Sequence, residues 1–428
     1  MRVWISIIVL ITATLLLALD VEPVPTWFYV FAWYPALVIA DDFAARRTQR
    51  AALLASPALV LSLMGWSVVI WLFYEAANLR IAHWYYVFLP QSQAWRWLGI
   101  TMSFATVVPA VVLSQRVLEG LGTGKRWISS PVTIRTRDLI GSALLGSLMV
   151  ILPLARPDLL APLIWGAGLL LSEPFTYRLS PSNSLFRDIE TGRWTRVGQI
   201  MVGGMCIGII WETLNYFARG KWIYTVPFLE NLKAFEMPPV GFLGFPIFAL
   251  SAWSLYHALC GAGVAVTARG DNRIIRKRMP LAVGAAVMFC FSVLSGMERR
   301  TISSTVPTLA DLPMMSEDLL AGLRTSGIRN PFDLAGTDSA ALADQLGTSP
   351  DLAVALHESA RLAVLRGIGS AYATRLLSLE VDSVCKLASM DPQSLWSAFH
   401  PGTASRSFRP TLPEIRVWTR SARRHCDS

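Results

Sequence analysis

Two short stretches of this chain place a carboxylate and a side-chain amide one helical turn apart: Glu75-x-x-Asn78 and Glu212-x-x-Asn215. Residues three apart on a helix share a face, so each pair can direct its polar atoms the same way. A positioned carboxylate can give or take a proton, and an amide beside it can hold a hydrogen-bonding group. Both pairs close strongly apolar segments, where a charged side chain is costly unless it is paired or hydrated. An acid kept in such a place serves either as glue between helices or as part of a binding or catalytic site. Aromatic residues surround both pairs: Trp71, Tyr74, Trp84, Tyr85 and Tyr86 the first, Trp211, Tyr216, Trp222 and Tyr224 the second. Such rings form the interfacial belt of a membrane protein. Alternatively they line a pocket whose π faces stabilise a carbocation beside an acid that protonates a double bond.

The elements that must position these groups are membrane helices. Of 428 residues, 53% are hydrophobic and 16% charged, which excludes an ordinary soluble protein. Apolar runs predict nine helices, at 3–19, 27–44, 57–78, 97–118, 139–154, 159–175, 197–217, 240–266 and 280–297, with a re-entrant or interfacial segment at 81–93. The first has the outline of a signal peptide, but a counterpart later in the chain argues that it is retained.

That counterpart belongs to a repeat. WYPALVIADDFAARR from Trp33 lies over WGAGLLLSEPFTYRL from Trp165 without a gap, which sets Asp41 over Glu173 and Arg46 over Arg178. Trp84-x-Tyr86 likewise returns as Trp222-x-Tyr224, and the Leu98-Gly99 start of one helix as Leu243-Gly244. The expected architecture is an all-α polytopic bundle: a membrane domain over 1–298, built of a four-helix unit at 1–118, its copy at 138–266 and an added helix at 280–297. An even number of helices per unit makes this a parallel repeat about an axis along the membrane normal. Asp41, Asp42 and Glu173 stand beside arginines, as helix-end ion pairs with snorkelling side chains do.

Loop charge orients the bundle. One set of loops carries 16 basic residues, among them Arg50, Lys125, Arg193 and Arg196, whereas the alternate loops hold only Arg80, Arg156, Arg219, Lys221 and Lys233. The positive-inside rule then places the amino terminus in the cytoplasm of a bacterial-type inner membrane. Both Trp-x-Tyr segments and, after nine helices, the C-terminal domain fall outside.

From Arg299 onward the chain is nearly neutral, with 14 Lys/Arg against 13 Asp/Glu. A Ser/Thr- and Pro-containing linker at 299–313, expected to be mobile, leads to a domain at 314–428. Its segment Gly367-Ile368-Gly369 stands between two helical stretches, followed by Leu376, Val381, Leu387, Asp391 and Leu395. Leu323, Ile328, Leu334, Asp338 and Leu342 repeat that order 53 positions earlier. The five cysteines, Cys206, Cys260, Cys290, Cys385 and Cys426, include no CxxC pair and no histidine at metal-ligand spacing. Single packed thiols are expected rather than a zinc site or a disulfide framework, although Cys385 and Cys426 can pair in an oxidising compartment. No phosphate-binding glycine loop, nucleophile elbow or His-Glu zinc helix occurs, and no cofactor or metal is expected. His83 and His257 are expected as packed interfacial residues.

Two resemblances bear on function. Trp211-Glu212-x-x-Asn215, then Gly220-Lys221-Trp222-x-Tyr224, an acidic proline-containing segment and a helix beginning GFLGFPIF resemble the small membrane lycopene cyclases of carotenoid synthesis. Those enzymes form rings without net redox change, by protonating a polyene and later losing a proton. Their Pro-x-Glu-Glu signature is replaced here by the single acids Glu230 and Glu236, so the resemblance implies a shared scaffold for a hydrophobic, isoprenoid-like ligand. The tail resembles a bacterial family of unknown function built from degenerate helix-hairpin-helix units, including a closing Arg-Pro-x7-Trp segment at Arg409 to Trp418. Such hairpins can present backbone N–H groups to a DNA phosphate. The near-neutral charge, Met314 and Met315 in place of Gly367 and Ile368, and an outside location all point away from nucleic acid and toward a protein partner.

The sequence therefore predicts binding of a hydrophobic ligand between the halves, at Glu75, Asn78, Trp84, Tyr86, Glu212, Asn215, Trp222 and Tyr224, with a partner recruited at the Gly367–Gly369 hairpin. A non-redox cyclase or isomerase, with Glu212 as proton donor and Glu75 as acceptor or charge stabiliser, is the alternative. A third reading is a membrane anchor that displays the tail.

Overall fold

The structure, a computed structural model, describes residues 1–226, 232–266, 275–400 and 410–426, with only the helical backbone for 275–278. The single acid Glu230 and the Arg409 of the closing segment lie outside the described residues. Two compact units emerge, and they do not divide the chain at one point: 1–83, 94–218 and 226–298 form one, and 84–93, 219–225 and 299–428 the other.

The first unit is helical. Its elements are α1 (Arg2–Ala18), α2 (Val24–Thr48), α3 (Pro57–Ile81), α4 (Gln93–Phe104), α5 (Val107–Gly120), α6 (Thr136–Ala155), α7 (Pro157–Leu160), α8 (Ile164–Leu179), α9 (Leu185–Glu190), α10 (Thr195–Phe217), α11 (Gly244–Gly261) and α12 (Ile275–Arg300). With α4–α5 and α7–α8 each counted as one span, eight helices among the described residues are long and apolar enough to cross a membrane, and α1 is a shorter apolar helix. Helix α1 packs on α2 and α6 on α8, α2 on α5 and α8 on α11, and α3 on α5 and α10 on α11. Helix α6 turns Ile140, Leu144, Leu148 and Ile151 outward, at the spacing of one helical face. Helix α12 likewise exposes Leu281, Val287, Met288 and Phe291, while its end is tied in by Glu298, which accepts Arg96 at 2.8 Å and the Trp97 indole at 3.0 Å.

The second unit assembles from three places in the chain. Strand β1 (Trp84–Val87) pairs antiparallel with β2 (Lys221–Tyr224), Trp84 opposite Tyr224 and Tyr86 opposite Trp222. The predicted re-entrant segment thus contains a strand. The predicted mobile linker also differs: Tyr86 N donates to Thr301 O at 2.7 Å, Ser303 N to Tyr86 O at 2.8 Å, and Val306 N to Leu89 O at 2.9 Å. The reason is hydrogen-bond satisfaction, because all four residues of β1 are buried and the strand's second edge cannot be left to water.

Eight helices complete this unit: α13 (Glu317–Thr325), α14 (Pro331–Ala335), α15 (Ser339–Leu346), α16 (Pro350–Val364), α17 (Gly369–Ser378), α18 (Val384–Ser389), α19 (Pro392–Phe399) and α20 (Leu412–His425). Positions 53 apart play equal parts. Leu323, Leu334 and Leu342 are as fully buried as Leu376, Leu387 and Leu395. Asn330 and Ser383 cap α14 and α18, Asp338 and Asp391 cap α15 and α19, and φ is positive at both Met314 and Gly367. Trp418 of α20 is buried against Tyr372 and Phe399, and burial pushes the Glu414 carboxyl up despite its place in a capping box with Thr411.

Cys385 and Cys426 form a disulfide, where single thiols were expected, because α18 and α20 pack together and bring the two Cα atoms to 4.6 Å. Cys206, Cys260 and Cys290 of the helical unit are free. The Gly367–Gly369 hairpin is buried within its own unit: a Cβ on Gly367 would stand 2.4 Å from a Val87 methyl, and one on Gly369 2.8 Å from Ser304 Cβ. Gly367 also has φ +85°, a conformation that side chains resist. Gly367→Ala is expected to cost the second unit roughly 1–3 kcal/mol, seen as faster amide exchange in β1 and α17. Gly347→Ala, at φ +58° with nothing within 4 Å, should cost less.

Candidate functional site

Glu75 and Asn78 lie toward the end of α3, and Glu212 and Asn215 toward the end of α10; all four side chains have 0% exposure. Trp71, one turn before Glu75, donates its indole N–H to Glu75 Oε1 at 3.0 Å. Asn78 Oδ1 accepts the His83 backbone N–H at 3.0 Å, closing a turn in which Ala82 has φ 54°. Burial holds the His83 imidazole below its usual range, against the opposite pull of the Asp158 carboxylate. Tyr29 of α2 shares a hydrogen bond with the Thr106 side chain and is within electrostatic reach of Glu212.

An aromatic cluster fills the space around the acids. Its hub is Phe248 of α11, whose ring lies 5.3 Å from Trp71, 5.2 Å from Tyr74, 5.9 Å from Trp165 and 6.3 Å from Trp211. Tyr74 stacks on Trp165 at 5.4 Å, and Trp211 meets Trp33 edge-on at 6.1 Å. Tyr74 and Trp211 immediately precede the two buried glutamates, and Trp33 and Trp165 head the two aligned segments. Each half therefore supplies a tryptophan to the ring before the other half's glutamate.

Two serines bond to the backbone of helices beside this cluster. Ser67 Oγ donates to Phe104 O at 2.6 Å and accepts from Val108 N at 3.0 Å, taking over the backbone groups freed at the α4–α5 break. Ser251 Oγ bonds the backbone of the continuous helix α8, donating to Trp165 O at 2.7 Å and accepting from Leu169 N at 3.0 Å. Broken helices inside a membrane are tolerated where such partners satisfy the backbone, and they recur at ligand sites. Tyr29, Ser67, Ser251 and the central role of Phe248 escape a reading of the sequence, since a lone serine or tyrosine in an apolar helix carries no spacing signal.

The four ring residues predicted with the acids lie on the two strands. Trp84, Tyr86, Trp222 and Tyr224 are cross-strand partners in the second unit, where the Trp222 indole donates to the Tyr224 hydroxyl at 3.0 Å. They are bound to the sheet, whereas Glu75, Asn78, Glu212 and Asn215 belong to the helical unit.

The acids at the opposite helix ends also differ from expectation. Asp42 pairs with Arg46 at 2.6 Å, but Asp41 is buried and accepts the backbone N–H groups of Leu53 and Leu54 at 2.7 and 3.0 Å. Glu173, equally buried, accepts Phe186 N at 3.0 Å and the Ser184 and Ser254 hydroxyls at 2.7 and 2.8 Å. The first N–H groups of a short helix have no intrahelical partner, and these carboxylates supply one in the loop that follows each helix. Snorkelling arginines therefore do not account for Asp41 or Glu173.

Among the described residues no group of three His, Cys, Asp or Glu side chains could hold a metal ion. No protein-family model, curated protein or solved structure matches the chain. The loop anchors can be separated from ordinary surface pairs by mutation. Asp41→Asn, which sets an amide N–H₂ against backbone donors, is expected to cost roughly 1–3 kcal/mol. Asp42→Asn should cost about 0–1 kcal/mol, so the thermal midpoint in detergent should fall clearly for the first and little for the second.

Proposed function

We propose that this is a multi-pass protein of a bacterial-type plasma membrane whose helical unit binds a hydrophobic, isoprenoid-like ligand at Glu75, Asn78, Glu212 and Asn215. The observation that carries the reading is the placement of two fully buried carboxylates among aromatic rings drawn from both halves of the bundle. Purely apolar packing would be served better by leucine or phenylalanine, and acids at this depth are by default functional. Aromatic faces suit an unsaturated hydrocarbon, and an acid beside them gives it one polar or protonatable contact.

The same reading treats the bundle as a duplicated four-helix unit with an axis along the membrane normal. Its support is the twofold exchange of partners: Trp33 with Trp211 against Trp165 with Tyr74, the Asp41 anchor against the Glu173 anchor, and Trp84 opposite Tyr224 against Tyr86 opposite Trp222. The second unit is taken to hold two degenerate helix-hairpin-helix units, supported by the matched caps and positive φ angles 53 residues apart. The positive-inside rule and the Cys385–Cys426 disulfide favour the outside, an oxidising compartment. With its glycine hairpin buried, the unit would recruit a protein partner through another surface.

A second reading is a non-redox cyclase or isomerase with the two buried acids as its proton-transfer groups. In that reading Glu212 is the proton donor and Glu75, whose Oε1 accepts the Trp71 indole N–H at 3.0 Å, is the acceptor or charge stabiliser. Mass spectrometry of lipids and pigments co-purifying with the detergent-solubilised protein tests both. A defined isoprenoid or polyene is expected with the wild type and at least tenfold less with the Glu75→Gln/Glu212→Gln variant at normal protein level. The same bulk phospholipid in both would sink the site and leave an anchor that displays the second unit.

A further inference from the structure

The helical unit contains a cavity of about 1010 Å³ at its arginine-rich end, remote from the glutamates along α3 and α10. Its volume is at the upper end of the usual range for small-molecule sites, ~300–1,000 Å³. Both halves form it: α3 and α5 contribute Leu59, Leu63 and Val112, and α8 and α11 contribute Leu179, Trp253 and His257. The positive-inside rule accounts for basic loops. It does not account for a concavity whose basic rim continues into an apolar wall.

Among the described residues five cations line this cavity, Arg50, Arg116, Lys125, Arg193 and Arg196, against two acids, Glu119 and Asp188. The acids are spoken for. Arg50 pairs with Glu119 at 2.8 Å, and Arg196 pairs with Asp188 at 2.6 Å while also donating to Ser182 O and Ser184 O. Arg193 comes only to 3.9 Å from the same Asp188. Arg116, Lys125 and Arg193 therefore represent an excess of three positive charges around one opening. Deeper in, Gln115 Nε2 donates to Gln199 Oε1 at 2.8 Å and Gln199 Nε2 to Thr123 O at 2.8 Å, joining the halves behind the rim.

We propose that this cavity binds a phosphate-headed amphiphile, its headgroup held by Arg116, Lys125 and Arg193 and its chain lying against Leu59, Leu63 and Val112. A phosphate monoester carries about −1.5 to −2 charges at neutral pH and offers three acceptor oxygens, which matches the cationic excess. Guanidinium groups recognise such oxygens in pairs and an ammonium adds a point charge. The apolar wall distinguishes an amphiphile from a soluble phosphate. The site does not depend on Glu75 or Glu212.

Calorimetric titration of the full chain in maltoside detergent tests this, with dodecyl phosphate, inorganic phosphate and dodecanol as probes. Dodecyl phosphate is expected to bind at least tenfold more tightly than either of the others. Lys125→Gln/Arg193→Gln, at two exposed positions that leave the packing intact, should weaken it roughly tenfold or more, the scale of one or two charge-assisted hydrogen bonds. Adding Arg116→Gln should weaken it further, and Glu75→Gln/Glu212→Gln should bind as the wild type does, which separates this site from the one in the aromatic cluster. Native mass spectrometry of the same preparations distinguishes sources: a retained diacyl phospholipid lost in the rim variant assigns the headgroup to the bilayer, and a retained single-chain phosphate to a metabolite. Inorganic phosphate binding as tightly as dodecyl phosphate, or affinity unchanged in Lys125→Gln/Arg193→Gln, would overturn the proposal.

Discussion

The cost of burying a carboxylate in an apolar bundle is the constraint from which this structure is best understood. Asp41, Glu75, Glu173 and Glu212 are all buried in the helical unit, at 0–2% exposure. Two of them are absorbed by the fold: Asp41 and Glu173 each receive the backbone N–H groups of the loop that follows their helix. Such bonds compensate an ionised group for lost water. Glu75 and Glu212 stand instead among aromatic rings toward the ends of α3 and α10. Ser67 and Ser251 bond the backbone of neighbouring helices close by, and these aromatic surroundings are what single the two acids out.

Aromatic contacts link helices far apart in the sequence of the helical unit. A tryptophan from α2 reaches the ring before Glu212, and one from α8 reaches the ring before Glu75. Small residues make the approach possible: a Cβ on Gly208 of α10 would stand 2.3 Å from the Phe245 ring of α11, so α10 and α11 can pack only with glycine there. The segments that leave α3 and α10 pair with each other as β1 and β2, and the chain beyond α12 adds its own extended segment to that pair. The second unit is thus built from both halves of the membrane sequence as well as from the tail.

Hydropathy alone located the helices to within a few residues, because the requirement for about twenty apolar residues per span leaves little freedom. Asp41 over Glu173 was visible as an alignment, but their use was not: an acid beside arginines suggests an ion pair, and only the fold reveals backbone donors twelve or thirteen residues on. The Trp-x-Tyr segments were legible as a recurring pattern but not as strands, since alternation over four residues is too short to distinguish a strand from an interfacial turn. The tail's leucines at 53-residue intervals marked its core correctly, whereas the burial of Gly367 against Val87 depends on a segment 280 residues away in sequence. Contacts of that range leave no local pattern.

Photo-crosslinking tests the central claim most directly. A benzophenone-bearing prenol would be incubated with the purified full chain, and the labelled peptides mapped by mass spectrometry. The account predicts saturable labelling of α3 near Trp71–Glu75 and of α10 near Trp211–Asn215, competed by unlabelled prenol. Labelling confined to the outward faces of α6 and α12, rising linearly with probe and insensitive to competitor, would contradict it.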